Sequence, residues 1–154
     1  MTGHALAIPA PSPSDPSDDW EYALRIARRP FGPGIARAHV RTVLGRHGIT
    51  TTITDNAELL VSELTTNSLQ HSSGPVDVHL SHTATKHLLR LAVWDDNPKL
   101  PVPIPGRIPD RLDAEHGRGL WFLRMCADNW GHYVIINGRR TTGGKEIWAE
   151  WATG

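Results

Sequence analysis

The alternation of apolar and polar residues predicts several β-strands in this chain. VDVHLSH alternates as a half-buried strand does, because successive strand side chains point to opposite faces. HLLRLAVWD follows after a short connection and is predicted to pair with it antiparallel. Residues 130–136 and 145–151 are predicted as two further strands, joined by the turn NGRRTTGG. The short segment 20–27 (WEYALRIA) fits a strand, although a helix is also compatible with this length.

Two longer segments carry the signals of helices. GIARAHVRTVLGRHG follows Pro33 and ends at Gly48, which suits a helix with proline in its first turn and glycine at its end. Residues 55–71 are predicted as the second helix, with Thr54 or Asp55 as its N-cap.

A proline-rich stretch interrupts the pattern from Asp96 to His116. It contains five prolines and neither period, so it is predicted as a long loop of the kind that often forms a functional lid. GRGLWFLRMCAD is predicted to be the third helix, with Gly119 near its start. Residues 1–18 are rich in Pro, Ser and Asp and are predicted to be a flexible tail, which leaves 19–154 as one domain. The order of elements predicts an α+β two-layer sandwich, with helices on one face of a mostly antiparallel sheet.

Composition excludes some classes of protein. Sixteen Lys+Arg balance sixteen Asp+Glu, which argues against a direct nucleic-acid binder. No window approaches the roughly 18 apolar residues of a membrane span, and the N-terminus lacks the features of a signal peptide. The single cysteine, Cys126, cannot form an internal disulfide, so a reducing, cytoplasmic setting is expected. Its apolar surroundings predict a buried, inert thiol.

The helix over 55–71 carries a polar ridge at a spacing of four residues, formed by Glu63, Asn67 and His71. On a helical projection this ridge follows the border of the apolar face, which contains Ala57, Leu60, Val61 and Leu64. Two interpretations follow from the segment alone. The polar groups either flank the core, as is common on amphipathic helices, or form one wall of a site.

Two other features bear on this choice. Asp95 ends a row of apolar residues that share one face of a strand, where an acid is costly unless something pairs with it. It either accepts a ligand or marks the end of the strand. Gly117 and Gly119 precede a predicted helix, whose N-terminal N–H groups bind anions readily, although most such glycine pairs are only turns. Neither a dinucleotide-binding fingerprint nor a P-loop occurs.

Together these segments resemble the GHKL superfamily of ATP-binding domains. ELTTNSLQH resembles its N box, VWDDNP its G1 box, HGRGLWFL its G2 box and GGKEIWAEW its closing strand. The resemblance covers roughly residues 20 to 152 and is nearest to the small, single-domain anti-sigma-factor serine kinases. It implies the Bergerat fold, with a mixed, mostly antiparallel sheet and an ATP lid formed by the long loop.

The resemblance implies ATP and Mg²⁺ as ligands and assigns roles to individual residues. Asn67 would coordinate Mg²⁺, together with phosphate oxygens and water. Asp95 would accept a hydrogen bond from the adenine amino group. Glu63 would be the general base, acting on a serine hydroxyl of a protein substrate or on water. His71 belongs to the motif without a clear catalytic role.

The remaining nucleotide contacts implied by the resemblance are Gly117, Arg118 and Gly119 at the phosphates, with Asn97 and Lys145. The sequence also departs from the family pattern. Asn97 and Lys99 stand at the glycine positions of the D-x-G-x-G box, and Lys145 and Glu146 stand where a hydroxyl residue is usual. Lys145 would act as a point charge on phosphate, whereas Glu146 would repel phosphate if it faced the pocket.

The resulting hypothesis is an ATP-binding serine/threonine protein kinase of the anti-sigma-factor type. It would phosphorylate a STAS-type anti-anti-sigma protein, bind a sigma factor, or do both, and the related kinases are often homodimers. One alternative is a nucleotide-dependent regulatory module with little or no transfer. Another is a protein-binding scaffold that binds no nucleotide.

Histidines and tryptophans are given structural interpretations. His79, His82 and His87 lie in or beside the first hairpin and are predicted to be solvated surface groups, since His79 and His82 fall on opposite faces and make a poor metal site. Tryptophans are expected to pack, with Trp20 and Trp148 as candidates for a partner surface.

Overall fold

A computed structural model describes residues 18–99, 123–135 and 143–154 of the chain. The elements in chain order are β1 (Trp20–Ile26), α1 (Gly32–Arg46), α2 (Thr51–His71), β2 (Val76–Thr83), β3 (Leu88–Asp95), β4 (Asn129–Ile135) and β5 (Gly144–Ala152). Residues 84–86 form a 3₁₀ turn between β2 and β3, and residues 123–126 are helical. All of the predicted tail (1–18) except its last residue, and most of the predicted lid loop, lie outside the described residues.

The five strands form one sheet in the order β1-β2-β3-β5-β4. All four pairings among the described strands are antiparallel, so the α+β fold with an antiparallel sheet is confirmed. The resemblance implied a mixed sheet, but no two of the described strands pair in parallel. The β3–β5 register places Asp95 directly opposite Lys145, so both side chains point to the same face of the sheet.

The core lies between that face and the helices. Strand β2 alternates buried and accessible residues, as predicted for a half-buried strand. The helical side of the core is supplied by both helices, through Ala36, Val40, Leu44, Ala57, Leu60, Val61 and Leu64. These residues pack against the sheet residues Val78, Leu80, Leu89, Leu91, Val93, Ile147 and Trp151. The polar ridge of α2 therefore runs beside a fully formed core.

Helix α1 agrees with the prediction, whereas the start of α2 does not. Gly48 adopts a left-handed conformation, with φ of 67°, just after the end of α1. Helix α2 begins at Thr51 after Thr50, four residues before the predicted start, and no side chain caps it. The prediction relied on a capping side chain at Thr54 or Asp55. The observed first turn is instead held by the Thr54 N–H, which donates to the Thr50 carbonyl at 3.0 Å, and by the packing of Ile53 on the core.

The prediction for His82 was also wrong. His82 is only 8% exposed, because it shares the core-facing side of β2 with Val78 and Leu80. Trp20 stacks between His47 and His82, with centroid separations of 4.3 and 5.6 Å. Trp20 therefore packs within the fold, as expected for tryptophan by default. Among the described residues, no helix is long and apolar enough to cross a membrane.

Candidate functional site

The polar ridge of α2 presents two half-buried groups beside the core. Glu63 forms no hydrogen bond or ion pair within the described residues. Asn67 lies one turn later, and its side-chain Nδ2 is buried without a hydrogen-bond partner in the described part of the chain. An unpaired buried amide is costly, so such a group is expected where a ligand completes the site. Asn67 thus meets the condition that a wall of a site imposes, whereas Glu63 is partly accessible to solvent and is compatible with either interpretation.

Asp95 ends β3 directly across from this part of α2. Its side chain is only 1% exposed, so its charge needs partners. The Ser68 hydroxyl donates to Asp95 Oδ2 at 2.6 Å, and the Asn97 backbone N–H donates to Oδ1 at 2.9 Å. The carboxylate is thus held in place from both the helix and the turn after the strand. Ser68 had no assigned role, although it directly follows Asn67 in the segment ELTTNSLQH that resembles the N box.

A buried cation completes the surroundings of Asp95. Lys145 Nζ lies 2.8 Å from Asp95 Oδ1, and the two side chains are 5% and 1% exposed. The same ammonium donates to the Asn97 carbonyl at 3.0 Å. Hydrogen bonds of this kind are what make a buried ion pair tolerable, since desolvation of both charges is expensive. The ammonium is therefore engaged at Asp95, which is the position implied for the adenine base and not for phosphate.

The turn after β3 is hydrogen-bonded to the end of α2 and to the residues that follow it. Asn97 Nδ2 donates to the His71 carbonyl at 2.7 Å, and the Ser73 N–H donates to Asp96 Oδ1 at 2.9 Å. Asn97 Oδ1 accepts from the Lys99 N–H at 3.0 Å, which closes an Asx turn. Both ends of the Asn97 amide are thus used within the protein. His71, a residue of the N-box segment, thus anchors the turn through its backbone carbonyl. Lys99 is exposed.

Glu146 lies on the opposite face of the sheet from Lys145. Its carboxylate is 3.3 Å from Arg90 Nη2, and Arg90 also pairs with Glu150 at 3.0 Å. The guanidinium lies 4.4 Å from the centroid of the Trp148 ring. Glu146 therefore does not face the side on which Asp95 and Lys145 lie, and the expected repulsion of phosphate does not arise there.

Other candidate groups give a mixed result. Gly117, Arg118 and Gly119, the predicted phosphate contacts, lie outside the described residues. Cys126 is partly buried, and this burial raises the pKa of its thiol, which favours the unreactive protonated form. Within the described ranges, no group of three or more His, Cys, Asp and Glu side chains could hold a metal ion. The Asn67 side-chain oxygen alone is compatible with Mg²⁺, because this ion keeps several waters and takes further ligands from substrate phosphates.

Comparison with known proteins adds the family and the fold. The family model described as "Histidine kinase-like ATPase domain" matches residues 33–151. No curated protein matches the chain. Among solved structures, the crystal structure of the RsbU and RsbW domains of Rv1364c from Mycobacterium tuberculosis superposes with a TM-score of 0.61 at 13% identity. The match covers 84% of this chain but only 31% of that one, so it establishes a shared fold.

Proposed function

The chain belongs to the histidine kinase-like ATPase domain family, and from this premise we propose that it is an ATP-binding serine/threonine kinase of the anti-sigma-factor type. Its partner would be a STAS-type anti-anti-sigma protein that it phosphorylates, a sigma factor that it sequesters, or both. The match to a structure that contains an RsbW domain supports the proposal at the level of the fold. A homodimer is part of the proposal, whereas direct contact with nucleic acid is not.

One observation carries the proposal. Asp95 is a buried carboxylate held by the Ser68 hydroxyl at 2.6 Å, and the neighbouring Asn67 keeps a buried Nδ2 unpaired within the described residues. An oriented acceptor and an unsatisfied amide on adjacent elements are expected where a nucleotide supplies the missing contacts. Asp95 would accept from the exocyclic amino group of adenine, and Asn67 would face the phosphates.

The proposed chemistry is in-line phosphoryl transfer. Mg²⁺, when bound with the nucleotide, would neutralise charge on the phosphates. Asn67 would hold the metal, while Glu63 would take the proton from the attacking hydroxyl of a substrate serine or of water. That hydroxyl oxygen bonds to the γ-phosphorus as the bond to the β–γ bridging oxygen breaks, so ADP leaves with the electron pair. Glu63 and Asn67 are separated by about 6 Å along the helix axis, which leaves room for a γ-phosphate between base and metal ligand.

A second candidate function is a nucleotide-dependent regulatory module without significant transfer. Two departures favour it. The Lys145 ammonium is already paired with Asp95 at 2.8 Å, and Lys99 stands at a position where the resemblance implies glycine. Binding and transfer therefore need separate measurements.

The first experiment is calorimetric titration of ADP and ATP into the purified chain, with and without Mg²⁺. We expect micromolar binding that weakens without Mg²⁺ and is lost in Asn67→Ala and Asp95→Asn. Asn129→Ala, an exposed asparagine on β4, is the matched control and should bind as the wild type does. An absence of heat at millimolar nucleotide, from protein with an intact thermal transition, would refute nucleotide binding and favour the scaffold alternative.

A further inference from the structure

The buried Asp95–Lys145 pair lies where the proposed function places the nucleotide base. Lys145 belongs to β5 and faces Asp95 across the β3–β5 register. We propose that Lys145 reads the base, by donating a hydrogen bond to adenine N1 next to the amino group that Asp95 accepts. This inference rests on the proposed function, since it assigns a base contact within that same site.

Donor and acceptor counts support this role. A carboxylate offers about four lone-pair positions. Within the described residues Asp95 uses three of them, for Ser68, Asn97 and Lys145. Two of these donors share Oδ1, so the remaining capacity is on Oδ2. An ammonium has three N–H donors. In the described part of the chain two of them go to Asp95 and to the Asn97 carbonyl, which leaves one for a ligand.

The pair therefore offers one further acceptor, on Asp95 Oδ2, and one further donor, on the ammonium that contacts the other oxygen of the same carboxylate. The pairing edge of adenine has the complementary arrangement, because its exocyclic amino group donates and the adjacent N1 accepts. A hydroxyl side chain or a water molecule at this position could either donate or accept. An ammonium can only donate, so Lys145 demands a ring acceptor beside the amino group.

Burial strengthens the preference for a base that has a ring acceptor beside its amino group. Lys145 and Asp95 have side chains that are 5% and 1% exposed, so an unmade hydrogen bond there is not replaced by bulk water. The Asp95 carboxylate and the Asn97 carbonyl both accept from the ammonium and hold it in position. The Lys145 side chain is thus oriented before any ligand arrives, which reduces the entropy cost of the contact.

The test compares ADP with 1-deaza-ADP, in which carbon replaces N1, by calorimetric titration into the wild-type chain. Loss of one hydrogen bond from a charged donor should weaken binding about 10- to 100-fold. 7-deaza-ADP retains both N1 and the amino group, so it should bind nearly as ADP does. In Lys145→Met we expect weaker ADP binding and little further loss on removal of N1. Lys86→Met, an exposed lysine of the 3₁₀ turn, is the matched control and should preserve the N1 dependence.

Lys145→Met leaves Asp95 without its cation, so Lys145→Gln serves as a second variant that keeps a donor, and it should retain part of the N1 dependence. The wild-type comparison of the two nucleotides stands even if both variants unfold. Equal affinity of the wild type for ADP and 1-deaza-ADP would overturn the inference, as would ADP binding to folded Lys145→Met at wild-type strength or tighter. Failure of ADP itself to bind the wild type would instead refute the proposed function.

Discussion

The Ser68 hydroxyl lies 2.6 Å from Asp95 Oδ2 and joins helix α2 to the end of strand β3. Both residues are buried, at 6% and 1% exposure. The two residues are 27 positions apart in the chain and belong to different sequence motifs. Their contact orients a carboxylate that would otherwise be buried with donors on one oxygen only. Ser68 is therefore a positioning residue for the proposed base site.

Replacement of Ser68 by alanine should destabilise the fold and weaken nucleotide binding. Asp95 Oδ2 would lose its hydrogen bond in a buried setting, which costs about 1–3 kcal/mol. Urea denaturation measures this change in the free energy of unfolding. Ser73→Ala is the control, because Ser73 is exposed and contributes only its backbone N–H to the turn after β3. Equal stability of Ser68→Ala and wild type would show that the contact is not maintained in solution.

Replacement of Glu63 by glutamine should separate transfer from binding. Loss of a general base is expected to lower phosphoryl transfer about 10²- to 10⁴-fold, while the neutral side chain keeps nearly the same shape. ADP affinity should stay unchanged, since Glu63 makes no proposed contact with the adenine base. ATP turnover and calorimetric titration on the same preparations measure the two effects. Glu21→Gln, an exposed residue of β1, is the control. Undiminished turnover in Glu63→Gln would exclude Glu63 as the base.

Stability should fall as the solution becomes acidic. Desolvation lowers the pKa of His39, and desolvation together with charge repulsion from His82 lowers the pKa of His47, from an ordinary value of 6.5. The unfolded chain therefore binds protons at these positions more readily than the folded chain does. Their contribution to stability is full above pH 6.5 and is lost as the pH falls through the lowered folded-state pKa.

Urea denaturation at about pH 7.5 and about pH 5.5 should give a lower free energy of unfolding at the acidic value. The difference should shrink in His39→Gln and in His47→Gln, because neither variant can take up the extra proton when it unfolds. His132→Gln is the control, since His132 is exposed on β4. A stability that rises on acidification, or a slope unaffected by both variants, would contradict the assignment.

Two glycines on the outer face of the sheet cannot accept a side chain. A Cβ at Gly131 would overlap the Trp148 ring, and a Cβ at Gly144 would approach the Trp94 ring to 2.6 Å and overlap the Asp95 carbonyl. Gly131→Ala and Gly144→Ala should each lower stability by about 1–3 kcal/mol. Gly45→Ala meets no atom within 4 Å and lies inside α1, so it should raise stability by about 1 kcal/mol. Thermal unfolding should show a lower melting temperature for Gly131→Ala and Gly144→Ala and a higher one for Gly45→Ala.

Much of the architecture could be predicted because periodicity reports directly on burial. The strand VDVHLSH and the helix ending at Gly48 follow from apolar spacing and a terminal glycine. The same parity that buries Val78 and Leu80 also buries His82, so that error came from setting residue type above strand position. The early start of α2 escaped prediction because its first turn uses backbone bonds and Ile53 packing in place of a capping side chain.

The candidate site could be predicted less completely. Asp95 was singled out because an acid at the end of an apolar row needs a partner, and the structure supplies two such partners in Ser68 and Lys145. The partner of Lys145 could not be deduced, because the β3–β5 register is set by a pairing between distant segments. Glu146 differs in this respect, because strand alternation alone places it on the opposite face from Lys145. Only its ion pair with Arg90, which belongs to another strand, could not be deduced.

Trp94 connects the outer face of the sheet to the proposed base site. Its ring lies over Gly144, the residue before Lys145, and Trp94 itself immediately precedes Asp95. A rearrangement of the Asp95–Lys145 pair that moves the β3 or β5 backbone would therefore change the surroundings of this indole. The chain thus carries an intrinsic fluorophore next to the site, and Trp94→Phe would isolate its share of the emission among the six tryptophans. A change in this emission on addition of nucleotide would report occupancy of the base site in real time without a dye.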